Sequence, residues 1–142
     1  MLLTTIDTEL TGLQVDKHEL IEFAAIKYNV FSKSGSQKEI SRTNFKIKPL
    51  RIDLAAPGAL IVNGYNEKDW SDARGITEAL PDIKKEVEDT DCLLGQCLIT
   101  DLRFINKYNK KTENMENVIT GTSEIVKQLI EDNKTSGKVA II

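Results

Sequence analysis

Apolar positions follow first one period along the chain and then another. Leu2 to Ile6 is a short β-prone run ending on Asp7, and Leu20 to Phe31 (LIEFAAIKYNVF) is a longer β-branched and aromatic run. Both read as strands, joined by the loop Thr11 to Glu19. Ser32 to Gln37 (SKSGSQ) supplies turn residues, after which Thr43 to Lys48 alternates, with Phe45 and Ile47 on one face, and is closed by Pro49. Each connection is too short for a helical crossover, so an antiparallel meander of three strands is expected.

After Pro49 the period lengthens. Ala55, Ala59, Leu60 and Val62 mark a short helical or irregular segment that ends at the turn Asn63-Gly64. Ile76, Ala79, Leu80, Ile83 and Val87 then fall at helical spacing. They lie opposite Asp82, Lys84, Lys85, Glu86 and Glu88, a charge run expected to be a solvated face. Pro81 is tolerated only near a helix start, which places the N-terminus around Thr77 to Leu80. Cys92 to Gly95 reads as a short buried strand, and Asp101 to Tyr108 opens another helix with Leu102, Ile105 and Tyr108 as its apolar positions. Thr122 or Ser123 can cap a further helix carrying Ile125, Val126, Leu129 and Ile130, and Val139 to Ile142 reads as the beginning of a strand. The pattern predicts an α/β domain: a three-stranded meander, then alternating helices and strands.

Size and charge narrow the function. With 142 residues, a single domain spanning 1–142 and one active site are expected. No stretch approaches the roughly 20 apolar residues of a membrane span. The N-terminus lacks the basic segment and cleavage site of a secretory signal, so a cytoplasmic protein without a membrane role is expected. A net charge of −3, from 19 Lys and Arg against 22 Asp and Glu, provides no global attraction to phosphates. Nucleic-acid binding must therefore be local, through bound cations or a short basic stripe. Lys46, Lys48 and Arg51 form such a stripe, although a solvated strand edge is the simpler expectation. Cys92 and Cys97 have neither CxxC spacing nor companion histidines, and are expected to be two buried reduced thiols rather than zinc ligands. His18 is expected to be exposed in its loop, with Tyr65 and Trp70 anchoring packing.

The residues with chemistry are acidic. Asp7 and Glu9 stand two apart at the end of the first strand, and a period of two puts both carboxylates on one face. Two adjacent acids repel unless a cation lies between them, and hard divalent ions such as Mg²⁺ prefer oxygen ligands and bridge to phosphate. With a third carboxylate, such a site can hold two ions and stabilise the attacking and leaving oxygens of phosphodiester hydrolysis. The reading of the helix that follows the central strand puts Asp101 near its N-terminus.

The string Ile6-Asp7-Thr8-Glu9-Leu10-Thr11-Gly12-Leu13, followed by His18-Glu19-Leu20-Ile21-Glu22-Phe23-Ala24-Ala25, closely resembles the first motif of the DEDD-type 3′-to-5′ exonucleases, the superfamily of polymerase proofreading subunits and RNase T. Ala56 to Tyr65 (APGALIVNGY) resembles the family's Ala-x-x-Ala-Leu-x-Val-Asn-Gly segment, and Gly95 to Ile105 (GQCLITDLRFI) its second motif. The resemblance implies an RNase H-like mixed sheet flanked by helices. Within it Asp7, Glu9 and Asp101 would be catalytic metal ligands for two Mg²⁺ or Mn²⁺ ions, while Thr11 and Gly12 would approach the 3′-terminal nucleotide. The implied partners are single-stranded DNA or RNA 3′ ends and a polymerase or other replication protein.

Cys97 stands where the family often has Asn, and Thr100 where it often has an aromatic. The family's third motif, His-x-x-x-x-Asp or Tyr-x-x-x-Asp, has no counterpart: His18 is the only histidine, and Asp132, the only aspartate after Asp101, follows Lys127 and Gln128 at the positions concerned. Asp132 is expected to be a solvent-facing acid rather than the fourth ligand. The domain is thus expected to be truncated at its C-terminus and to lack the final helix. The competing expectation is a catalytically impaired module that binds nucleic acid or a protein partner.

Overall fold

The computed structural model describes residues 1–31 and 36–109. Three long strands, β1 (Leu2–Leu10), β2 (Leu20–Val30) and β3 (Gln37–Lys48), are followed by a 3₁₀ turn (Ile52–Leu54) and two short helices, α1 (Pro57–Val62) and α2 (Glu67–Trp70). A two-residue strand β4 (Arg74–Gly75), helix α3 (Ile76–Glu88), strand β5 (Cys92–Leu94) and helix α4 (Leu98–Asn109) complete the order. The strands form one mixed sheet in the order β4-β3-β2-β1-β5. The meander is present as expected: β1 pairs antiparallel with β2, and β2 antiparallel with β3. The edge strands join in parallel, β5 on β1 and β4 on β3. A parallel addition needs a crossover, and α3 supplies it by carrying the chain from one edge of the sheet to the other.

Alternation along the strands sorts the sheet into two faces. Ile6 and Leu10 of β1, Phe23 and Ala25 of β2 and Ile47 of β3 are buried with Ile76, Ala79, Ile83 and Val87 of α3 and with Phe104 and Ile105 of α4. Each large apolar side chain removed from water in this way contributes about 1.5–3 kcal/mol. The opposite face carries Leu3, Thr5, Asp7, Ala24 and Ile26, and these border an open hollow of about 480 Å³.

Tertiary pairing lengthened what the pattern had marked only in part. β3 begins at Gln37 rather than Thr43 because β2 offers it a ladder as far as Val30↔Gln37, which outweighs the weak strand preference of Lys38, Glu39 and Ser41. α3 starts at Ile76, a turn's edge earlier than Thr77–Leu80, and holds Pro81 in its interior. Burial of Ile76 and Ala79 against the sheet offsets the backbone bond that the proline cannot donate. α4 likewise begins at Leu98, which is buried, rather than at Asp101.

Two expectations about polarity are corrected. Glu86 is not a solvated member of the α3 charge run: it pairs with the buried Lys27 ammonium at 3.4 Å and accepts a hydrogen bond from the Thr43 hydroxyl at 3.0 Å. Lys27 points into the α3 side of the sheet and must find an anion there, which the helix supplies. Of the two cysteines only Cys92 is buried; Cys97 is exposed, because it lies in the turn ahead of α4 rather than in β5. Trp70 packs as expected, its indole donating to the Ile21 carbonyl at 2.9 Å and its ring 5.0 Å from that of Tyr65. The helix expected after Thr122, the strand expected at 139–142 and Asp132 lie outside the described residues.

Candidate active site

The C-terminal half of β1 carries the first two acids. Asp7 and Glu9 share the face opposite Ile6 and Leu10, as a period of two requires, with Asp7 exposed and Glu9 half-buried. The β1–β2 ladder has its register shift between Glu9 and Leu10, where β2 carries one extra residue, Ile21, beside the carboxylates. β5 runs parallel beside β1 and hands the chain to α4, whose first turn brings Asp101 to the same end of β1.

Asp101 is 4% exposed. One carboxylate oxygen accepts a hydrogen bond from the Thr8 hydroxyl, at 2.5 Å, while Oδ2 is buried with no hydrogen-bond partner among the described residues. Gly95 lies beside this carboxyl: a Cβ there would crowd the Ile6 carbonyl oxygen at 3.0 Å and would meet Oδ2 of Asp101 at an ordinary 3.4 Å. Burial, opposed by the Thr8 hydrogen bond and reinforced by the Asp7 charge, pushes the Asp101 carboxyl up to about 6. Glu9 is also raised, by burial first and then by the charges of Asp7, Glu22 and Asp101. The three acids therefore lie within one another's fields.

They do not form a closed cage. Among the described residues, no three His, Cys, Asp or Glu side chains are drawn together tightly enough to hold a metal ion. The side chain that Asp101 meets on β1 is Thr8, which alternates with Asp7 and Glu9. The donor set nonetheless fits a hard divalent ion: every candidate ligand is a carboxylate oxygen, and Oδ2 of Asp101 is a desolvated acceptor with nothing to accept.

Beyond Glu9 the chain enters the loop that carries Thr11 and Gly12. Thr11 is buried and engaged within the protein: its amide donates to the Glu19 carbonyl, its hydroxyl accepts from the Glu19 amide, and its carbonyl accepts from Ala56, each at 2.8 Å. Gly12 has φ of +151°, and a Cβ there would fall 2.5 Å from the His18 ring. The absence of a side chain at this position is thus required first by the imidazole.

His18 is a correction to the expected exposed loop residue. It is 5% exposed, its Nδ1 accepts the Gln14 amide at 2.9 Å, and burial followed by the charges of Lys17 and Lys107 lowers its proton affinity. The Lys107 ammonium reaches from α4 to the His18 carbonyl at 2.6 Å, tying the loop to the helix that bears Asp101.

A second open hollow, of about 570 Å³, adjoins Glu9 and is bordered by Gly12, Leu13, His18, Ala59 and Val62. Leu13 and Val62 are 80% and 84% exposed, large apolar groups left facing water beside the carboxylates. The basic stripe is dispersed by local partners: Lys46 lies 4.0 Å over the Trp70 ring, Lys48 donates to the Ser71 carbonyl, and Arg51 pairs with Asp53. Thr8, Gly95 and Glu22 entered the sequence reading only as members of the motif strings and were given no role of their own, and His18 was given the wrong environment. Only Glu22 left a signal there, as a second acid at the matching place in a neighbouring strand.

A family model described as exonuclease matches residues 4–140. Among solved structures, E. coli exonuclease I in complex with a dT13 oligonucleotide superposes with a TM-score of 0.64 at 18% identity, covering 77% of this chain and 24% of that one. An exonuclease I/SSB-Ct complex superposes with a TM-score of 0.68 at 17% identity, covering 82% of this chain and 26% of that one. The chain thus spans about a quarter of the length of these exonuclease I chains. A search of curated protein sequences found no match.

Proposed function

The chain belongs to the exonuclease family, and from that premise we propose that it hydrolyses phosphodiester bonds at the 3′ end of single-stranded DNA or RNA, with Asp7, Glu9 and Asp101 holding two Mg²⁺ or Mn²⁺ ions. Its mixed sheet with packed helices is the RNase H-like exonuclease fold. The observation that carries the proposal is the buried, unpartnered Oδ2 of Asp101, held at the end of the strand that presents Asp7 and Glu9. A carboxylate oxygen taken out of water costs stability unless it meets a proton or a cation.

Bound ions would supply the positive charge that receives the scissile phosphate and would stabilise the attacking and leaving oxygens. The chain's own residues do the positioning. The Thr8 hydroxyl holds one oxygen of Asp101 and leaves the other free. Thr11 anchors the loop, and Gly12, Leu13 and Val62 line the hollow beside Glu9, where apolar contact suits the base and sugar of a terminal nucleotide. A negatively charged chain needs no basic groove for this if cations carry the phosphate contact.

The test is release of mononucleotides from 5′-labelled single-stranded DNA and RNA with Mg²⁺ or Mn²⁺, beside Asp7→Ala. Wild type is expected to shorten the substrate stepwise from its 3′ end and the variant to leave it intact. Equal behaviour of the two, with no metal binding by calorimetry, would overturn the proposal and favour a binding module on the same fold.

A further inference from the structure

Glu22 lies directly across the ladder from Glu9, and Asp7 lies across from Ala24. Asp7, Glu9 and Glu22 consequently share one face of the sheet, away from Phe23 and the core. Like charges directly opposite in an antiparallel pair destabilise it. The neighbour on the other side offers a cation that is not used: Lys46 is paired with Glu22 in the β2–β3 ladder, yet its ammonium stands over the Trp70 ring at 4.0 Å. Among the described residues Glu22 forms no ion pair.

We propose that Glu22 is a positioning residue for the cation site, acting through Glu9: its uncompensated charge strengthens divalent-ion binding at Asp7, Glu9 and Asp101 without contributing a ligand. This rests on the exonuclease reading of those three acids. The arrangement stores a repulsion in the metal-free sheet that a cation relieves, and the orphaned Oδ2 of Asp101 at the same end of β1 points to the same missing positive charge.

The experiment uses the full chain as wild type, Glu22→Gln, Glu22→Asp, Asp7→Ala and, as a distant control on the exposed side of α3, Glu88→Gln. Mn²⁺ and Mg²⁺ affinities are measured by calorimetry, and melting temperatures with and without EDTA. Glu22→Gln is expected to bind metal roughly five- to tenfold more weakly, the loss of one nearby unit charge at a partly solvated site. It is also expected to melt higher than wild type in EDTA. Glu22→Asp keeps the charge and stays within about twofold of wild type, as does Glu88→Gln. A Glu22→Gln protein that binds metal as tightly as wild type, or that melts lower in EDTA, would overturn the assignment while Asp7→Ala still abolishes binding. If wild type itself binds no metal, the exonuclease reading of the site fails and Glu22 loses its role with it.

Discussion

Replacing Asp101 by Asn in the metal-free protein is expected to stabilise the fold at neutral pH, although the same change removes a proposed ligand. Asn has nearly the same shape, its amide oxygen can still accept from the Thr8 hydroxyl, and it carries no charge into a position that is 4% exposed. The sign follows from the proton affinity. The folded carboxyl is raised from 3.8 to about 6, so the folded state holds the proton more tightly than the unfolded chain. Wild-type stability therefore declines as pH rises from about 3.8 to about 6 and stays reduced above that. A difference of about 2 units corresponds to at most about 3 kcal/mol; relaxation of the site around the buried charge lowers the expected gain to about 1–2 kcal/mol. Urea unfolding in EDTA, followed through the buried Trp70, reads this directly at pH 4, 5, 6 and 7.5. The Asp101→Asn variant should unfold at a midpoint about 1 M higher at pH 7.5 and at nearly the wild-type midpoint at pH 4. Saturating Mn²⁺ should reverse the order, because only wild type gains from binding. Equal stabilities at pH 7.5, or a gain that persists unchanged at pH 4, would refute a desolvated carboxylate at this position.

Three further changes probe the loop that frames the site. Gly12→Ala places a Cβ 2.5 Å from the His18 ring at a φ of +151°, and should cost about 2–3 kcal/mol in urea unfolding. Glu19→Gln removes one of two carboxylate oxygens that accept the Leu50 and Arg51 amides, and should cost about 2 kcal/mol, with faster hydrogen exchange at those amides. His18 should titrate below 6.5 as the only imidazole signal in the proton NMR spectrum. Its lowered affinity means that stability is lost as pH falls below 6.5, where the unfolded chain protonates first; an apparent value at or above 6.5 would contradict the packing on Gly12.

Much of the architecture was legible because its causes are local. The alternation of β1 and β2 and the helical stripe Ile76, Ala79, Ile83 and Val87 are properties of short windows, and each of those elements is present. The shared face of Asp7 and Glu9 needs only the geometry of one strand. What was misjudged depended on partners far away in the chain. His18 was expected in water and Glu86 on a solvated helix face, yet His18 is covered against Gly12 and Glu86 is drawn to Lys27.

Composition, periodicity and the Asp-x-Glu motif by themselves determined the class of fold and the strand that bears the first acids. Only tertiary structure decided that Asp101 arrives at that strand with one oxygen tied to Thr8 and the other bare, and that Glu22 faces Glu9. The physical reason is range. Side-chain periodicity is written within a few residues, whereas the field at a carboxylate is set by whatever the fold brings within a few ångströms, here from positions 93 residues apart.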